Sequence, residues 1–160
     1  IAARSGVIGR QTAVMPVIGA LVRALERIHE ERGLRLSSSC SEDVTFPGEK
    51  HDLEEMIGNL LDNACKWAKS EVELTVSCHA DTDRGSARTL VITVDDDGPG
   101  LPKKERLAAI KRGRRLDETK PGSGLGLSIV AELAHLYKGR FSLEKSGKGG
   151  LRAYLKLPGY

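Results

Sequence analysis

Leu53-Glu54-Glu55-Met56-Ile57-Gly58-Asn59-Leu60-Leu61-Asp62-Asn63-Ala64-Cys65-Lys66-Trp67-Ala68 decides how this chain folds. Its apolar positions (Leu53, Met56, Ile57, Leu60, Leu61, Ala64, Cys65 and Ala68) recur at spacings of three and four, which predicts an amphipathic helix over Leu53–Ala68. Shortly after it, Val72, Leu74, Val76 and Cys78 alternate with Glu73, Thr75 and Ser77, the period of a half-buried strand.

Working outward, the segment before Pro16 is short and extended. Val17, Leu21, Leu25 and Ile28 then mark the apolar face of a first helix that stops by Gly33. Leu34–Ser37 and Val44–Phe46 read as short strands. Downstream, Thr89–Val94 is a β-branched strand, and Lys103–Lys120 is charge-dense with little periodicity and reads as a loop. Gly124–Tyr137 is helical, and Arg140–Leu143 with Gly150–Leu157 forms a hairpin across Ser146-Gly-Lys-Gly149. Paired strands set between helices predict an α/β sandwich, one sheet with helices on one face.

With 160 residues the chain has the size of one domain, taken as 1–160, large enough to need no disulfide or metal. Aromatics are only 4%, so the core must be built from Leu, Ile, Val and Ala. A formal net charge of +3 excludes a generally basic nucleic-acid binder. Cys40, Cys65 and Cys78 lack CxxC spacing and fit reduced, buried thiols of a cytosolic protein. The longest apolar stretch, Ala13–Val22, is too short for a bilayer and contains Pro16 and Gly19. The start at Ile1 and the lack of a signal peptide suggest a piece of a longer protein. His29, His51, His79 and His135 have no Cys or carboxylate at metal-ligand spacing and read as structural.

Three stretches carry chemistry. Glu55, Asn59, Asp62, Asn63 and Lys66 share a stripe of about 100° beside the apolar face of the helix. Asn costs roughly 0.5–0.7 kcal/mol against Ala inside a helix, so two of them one turn apart need a reason. Their amide oxygens at i and i+4 can reach one Mg²⁺, with Lys66 aimed at phosphate; the same residues also make an ordinary polar flank. Asp95-Asp96-Asp97-Gly98-Pro99-Gly100 follows a strand. It suits either a pocket in which a carboxylate accepts from an exocyclic amine or a tight acidic turn, while its three acids leave calcium open without an EF-hand pattern. Gly122-Ser123-Gly124-Leu125-Gly126-Leu127 opens a helix and is either a phosphate cradle or a hinge. No strand feeds it and no GxxxxGK[ST] is present, so the dinucleotide-fold and P-loop readings fail. Between the last two stretches, Lys103–Lys120 holds eight basic and three acidic residues. That charge suits a mobile cover for a triphosphate, a solvated loop or, weakly for want of aromatics, a nucleic-acid patch.

In their order, Met56–Trp67, Asp96–Gly100 and Gly122–Val130 resemble the nucleotide-binding domain of bacterial sensor histidine kinases, of the GHKL superfamily shared with DNA gyrase and MutL. The wording is closest to the PhoQ type, through Gly58–Lys66 and Arg112-Gly-Arg-Arg-Leu-Asp117. The resemblance spans about Arg10–Leu157. It implies the Bergerat fold, an α+β two-layer sandwich with a mixed, mostly antiparallel five-stranded sheet backed by about three helices and a lid at about 101–123. It implies ATP and Mg²⁺ as cofactors: Asn63 as a metal ligand with Asn59 close by, Lys66 on the phosphates, Trp67 near the base where the family usually has Tyr, and Asp96 on the adenine amino group. Gly98 and Gly100 would shape the pocket. Gly122, Ser123, Gly124, Leu125 and Gly126 would close on the phosphates, and Arg115 and Lys120 would approach the γ-phosphate. Asn59, Asn63, Lys66 and Arg115 are thereby the implied catalytic set.

Two features depart from or sharpen the pattern. Ala109-Ile110-Lys111 stands where the lid often has a Phe, so lid anchoring differs. Asn59 occupies the position where the ATPases of the superfamily carry a water-activating Glu; an amide cannot act as that base, which favours transfer to a protein. The resemblance implies transfer of the γ-phosphoryl group to a histidine on a dimerisation hairpin outside this chain, for relay to a response regulator. It further implies a cytoplasmic domain of an inner-membrane sensor, monomeric alone and homodimeric in full length, with no nucleic-acid partner. The alternatives are an anti-sigma-factor serine kinase of the same fold, a non-catalytic nucleotide-binding module and, more remotely, a DNA-binding domain.

Overall fold

A computed structural model describes residues 11–41, 44–80, 88–112 and 126–158. Five strands form the main sheet in the order β2 (Arg35–Cys40), β4 (Glu71–Ala80), β5 (Arg88–Asp96), β7 (Leu151–Pro158), β6 (Arg140–Lys145). β2 runs parallel to β4 and every other neighbour is antiparallel, the mixed, mostly antiparallel sheet expected. A separate ribbon pairs β1 (Thr12–Ala13) with β3 (Thr45–Phe46), a partnership the two extended-looking segments did not reveal in sequence.

Strand alternation makes the sheet one-sided. Val72, Leu74 and Val76 of β4, Leu90, Ile92 and Val94 of β5, and Leu151, Ala153, Leu155 and Leu157 of β7 are all buried. Against that face pack α1 (Val14–Ile28), α2 (Lys50–Trp67), α3 (Lys103–Arg112) and α4 (Gly126–Leu136). The described residues thus hold four helices where about three were expected.

The helix at the centre is α2. Leu53, Met56, Ile57, Leu60, Leu61, Ala64, Cys65 and Ala68 are buried together, as their spacing requires. Each large member contributes about 1.5–3 kcal/mol by leaving water. Pro16 sits in the first turn of α1, where its missing N–H costs nothing, and the Val14 N–H bonds the Val44 carbonyl at 3.1 Å.

Three sequence expectations need correction. Ile28 is not on the buried face of α1 but 68% exposed, because the helix ends there and Leu25 is its last core residue. A 3-10 turn, Glu30–Arg32, then runs to Gly33, whose φ of 64° takes the left-handed conformation that glycine permits. The stretch read as a loop is helical over Lys103–Arg112: the apolar run Leu107–Ile110 lacks a helical period, but Ala109 is buried and Ile110 packs on the core. Among the thiols only Cys65 is buried, and all three cysteines are free.

Candidate functional site

The polar edge of α2 forms because its other side is committed to the core. Glu55, Asn59, Asp62, Asn63 and Lys66 are half-buried along this edge, so the helix rim is neither core nor free surface. Asn59 donates from Nδ2 to the Glu55 carbonyl at 2.7 Å. A Cβ on Gly126, the first residue of α4, would stand 3.0 Å from Asn59 Oδ1, so only glycine lets α4 begin against that amide without displacing it. Asn63 lies one turn further along, and Lys66 Nζ pairs with Asp62 Oδ2 at 3.0 Å. Asp62 Oδ1 in turn lies 3.4 Å from Nε2 of His29, the residue that ends α1.

The three consecutive aspartates part ways. Strand alternation turns Asp95 away from Asp96, and Asp97 lies beyond the end of β5. Asp95 is buried, accepts from the Ser146 hydroxyl at 2.9 Å and pairs with Arg152, its direct neighbour across the sheet, at 2.8 Å. Asp97 accepts from the N–H groups of Lys69, Ser70 and Glu71 and from the Ser70 hydroxyl, tying down the turn from α2 into β4. Burial raises the Asp97 pKa, but the hydrogen bonds from Ser70, Glu71 and Lys69 outweigh it and hold the carboxyl well below the usual carboxylate range. Asp96 is 2% exposed, and its Oδ1 accepts from the N–H groups of Gly98 at 2.9 Å and Leu151 at 3.2 Å. Three carboxylates engaged by three sets of protein donors do not form a calcium loop.

Glycine packing joins this loop to α2. A Cβ on Gly98 would stand 2.3 Å from the carbonyl oxygen of Trp67, so no other residue fits between the loop and the end of the helix. Gly100 has a φ of 69° and lies over Gly150. Gly150 itself is a residue the sequence reading missed: a Cβ there would come within 2.2 Å of Asp96 Oδ1. In sequence Gly150 opens the second strand of the hairpin, and its only signal is the doubled glycine Gly149-Gly150.

The structure therefore brings together Asn59, Asn63, Lys66, Trp67, Asp96, Gly98, Gly100 and Gly126 along one rim of the sandwich. Arg115, Lys120, Gly122, Ser123, Gly124 and Leu125 lie outside the described residues, as does the lid beyond residue 112. A cleft of about 160 Å³ between α1, β2 and α2 is lined by Leu25, His29, Leu36 and Cys65 among others, and by none of Asn59, Asn63 and Lys66. Burial, aided by the Asp62 charge, pushes the Cys65 thiol there up to about 11.

A one-sided sheet with a polar helix rim and glycine turns packed against it defines an α+β sandwich domain. The family model described as histidine kinase-, DNA gyrase B-, and HSP90-like ATPase matches residues 48–160, and the chain belongs to that family. It is 47% identical over 139 residues to the sensor protein kinase CarS of Pseudomonas aeruginosa, covering 87% of this chain and 29% of that protein. It is 36% identical over 139 residues to the sensor protein PhoQ of Escherichia coli (strain K12), covering 87% of this chain and 27% of PhoQ. The chain thus spans under a third of the length of these curated relatives. Among solved structures, the ATP binding domain of PrrB from Mycobacterium tuberculosis superposes with a TM-score of 0.74 at 28% identity, covering 94% of this chain and 96% of that one. The fold expected from the resemblance is the one observed, and the domain is of the sensor histidine kinase type. These relatives lend no support to the anti-sigma-factor alternative. No helix among the described residues is long and apolar enough to cross a membrane.

Proposed function

We propose that this domain binds Mg-ATP along the α2 rim and donates the γ-phosphoryl group to a histidine on a dimerisation hairpin of the full-length sensor kinase, for relay to a response regulator. The observation that carries the reading is the convergence of three separate sequence stretches on one helix edge. Asn59 meets the start of α4, Trp67 meets Gly98, and Asp96 is held by Gly98 and Leu151.

The residues present fit the cofactor. Amide oxygens are hard ligands suited to Mg²⁺, which keeps several waters and takes few protein ligands. Asn63 would hold the metal with Asn59 beside it, and Lys66 would meet the phosphates as a point charge. Mg²⁺ supplies charge neutralisation of the phosphate oxygens when bound. Asp96 is pre-aimed: two backbone N–H groups fix its carboxylate, which accepts from the adenine amino group, a donor that guanine lacks at that position. Gly98, Gly100 and Gly126 let the Asp96 loop and the start of α4 pack closely against Trp67, Gly150 and Asn59. Of the residues outside the described part, Arg115 and Lys120 would stabilise the γ-phosphate, and Gly122, Ser123, Gly124 and Leu125 would close over the phosphates.

The chain supplies no nucleophile for the transfer. Its contribution is positioning and electrostatic stabilisation, while the acceptor imidazole attacks in line. Asn59, being an amide, does not activate water, so hydrolysis does not compete. We assign the domain to the cytoplasmic side of a bacterial inner membrane, monomeric alone and homodimeric through the hairpin in the full protein. The test is incubation of the full-length kinase with γ-labelled ATP and Mg²⁺. Acid-labile phosphohistidine should form, and Asn63→Ala should lower its rate by at least about a hundredfold while leaving the fold intact. An unchanged rate in the Asn63 variant would contradict the metal assignment.

A further inference from the structure

The C-terminal end of α2 is an unusual helix end. The last carbonyls of a helix have no intrahelical partner, and a left-handed glycine often supplies one. Here the residue after Trp67 is Ala68, in an extended conformation with φ −61° and ψ 148°, so that device is absent. The partner comes instead from Arg32, in the 3-10 turn after α1. Its guanidinium donates to the carbonyls of Cys65 and Ala68, the latter at 2.5 Å, and reaches that of Lys66 at 3.5 Å. The Trp67 carbonyl, between those of Lys66 and Ala68, is the one Gly98 packs against. On the remaining side, Asp97 collects the N–H groups of residues 69 to 71. The exit of α2 is therefore held from three directions, and the side chains carried on it are Lys66 and Trp67.

We propose that Arg32, outside every motif of the nucleotide site, is a positioning residue for that site: it fixes the end of α2 and so aims Trp67 and Lys66. A planar fork with a permanent positive charge suits this role twice over, since it satisfies several carbonyls at once and sits at the negative end of the helix dipole. Lysine offers the charge without the fork. The inference rests on the nucleotide reading given above, and the experiment separates the two.

Trp67 is the only tryptophan in the chain, so its fluorescence reports on this place alone. Arg32→Ala, Arg32→Lys and, as control, Arg35→Ala are compared with the parent chain well below their unfolding midpoints; the Arg35 side chain is 79% exposed and pairs with Glu71 on this edge. Arg32→Ala should shift the Trp67 emission of the ligand-free protein and weaken binding of a non-hydrolysable ATP analogue about tenfold. Arg32→Lys should recover part of both, and Arg35→Ala should change neither. If the parent binds the analogue and Arg32→Ala matches it in emission and affinity, the positioning role is wrong while the nucleotide site stands. If the parent itself binds no analogue, the nucleotide reading falls and takes this inference with it. Should Arg32→Ala fail to fold, Arg32→Lys decides alone: parental emission and affinity in that variant overturn the need for the fork.

Discussion

Asp95, Asp96 and Asp97 are identical in chemistry and adjacent in sequence, yet they do three different things. The pleat of β5 separates them: Asp95 faces Arg152 across the sheet, Asp96 turns into the core against Leu151, and Asp97 leaves the strand to collect the N–H groups that open β4. Asp97 makes the clearest pH prediction. Its folded pKa is depressed, so its contribution is fully present above the unfolded carboxyl value of about 3.9 and is lost as pH falls below that. Because the group is partly solvated, the contribution is about 1 kcal/mol. Urea unfolding should find Asp97→Asn less stable than the parent by that amount at neutral pH, with the gap narrowing as pH is lowered through about 4 and below. A constant gap across that range would show that the charge of Asp97 is not what stabilises the turn. In sequence this division of labour was only half visible. Asp96 was singled out through the family pattern, whereas the partners of Asp95 and Asp97 lie 51 or more and 26 to 28 residues away and depend on sheet register that no local pattern encodes.

At the scale of elements, α2 was legible because one face of it is purely apolar and the strand after it alternates without interruption. The helix Lys103–Arg112 was not legible, because its apolar residues fall in one consecutive run and its charges mask the rest; tertiary packing of Ala109 and Ile110, not periodicity, makes it helical. The joint between α2 and the Gly98 turn was likewise hidden, since glycine in sequence does not say what it packs against. The structure makes that joint testable. Gly98→Ala puts a methyl group 2.3 Å from a backbone carbonyl, which cannot rotate away as a side chain would. It should cost about 1–3 kcal/mol in urea denaturation through displacement of the loop, and it should weaken ATP-analogue binding because Asp96 loses the Gly98 N–H. Parental stability and affinity would mean that the loop and the helix end move independently.

On the scale of the whole molecule, the sheet and helices serve to bring residues from α2, the end of β5 and the start of α4 to one rim. Two clamps hold α2 in place. At its start, Tyr137 from the end of α4 donates to the buried carboxylate of Asp52 at 2.5 Å, while its ring packs on Phe46 with centroids 4.9 Å apart. At its finish, Arg32 takes the carbonyls and Gly98 closes against Trp67. Neither clamp could be read from the sequence: the partners of Asp52 and Arg32 lie 85 and 33 or more residues away, and no local pattern points to them. The motifs are legible in sequence, and the scaffold that holds them together emerges only in three dimensions.

The most direct test of the central claim is calorimetric titration of this chain with a non-hydrolysable ATP analogue, with and without Mg²⁺ and against the matching GTP analogue. A nucleotide site on the α2 rim requires binding that depends on Mg²⁺ and prefers adenine, with the preference lost in Asp96→Ala and the Mg²⁺ dependence lost in Asn63→Ala. Absence of heat under every condition from a folded sample, or equal binding of both nucleotides by the parent and both variants, would contradict it.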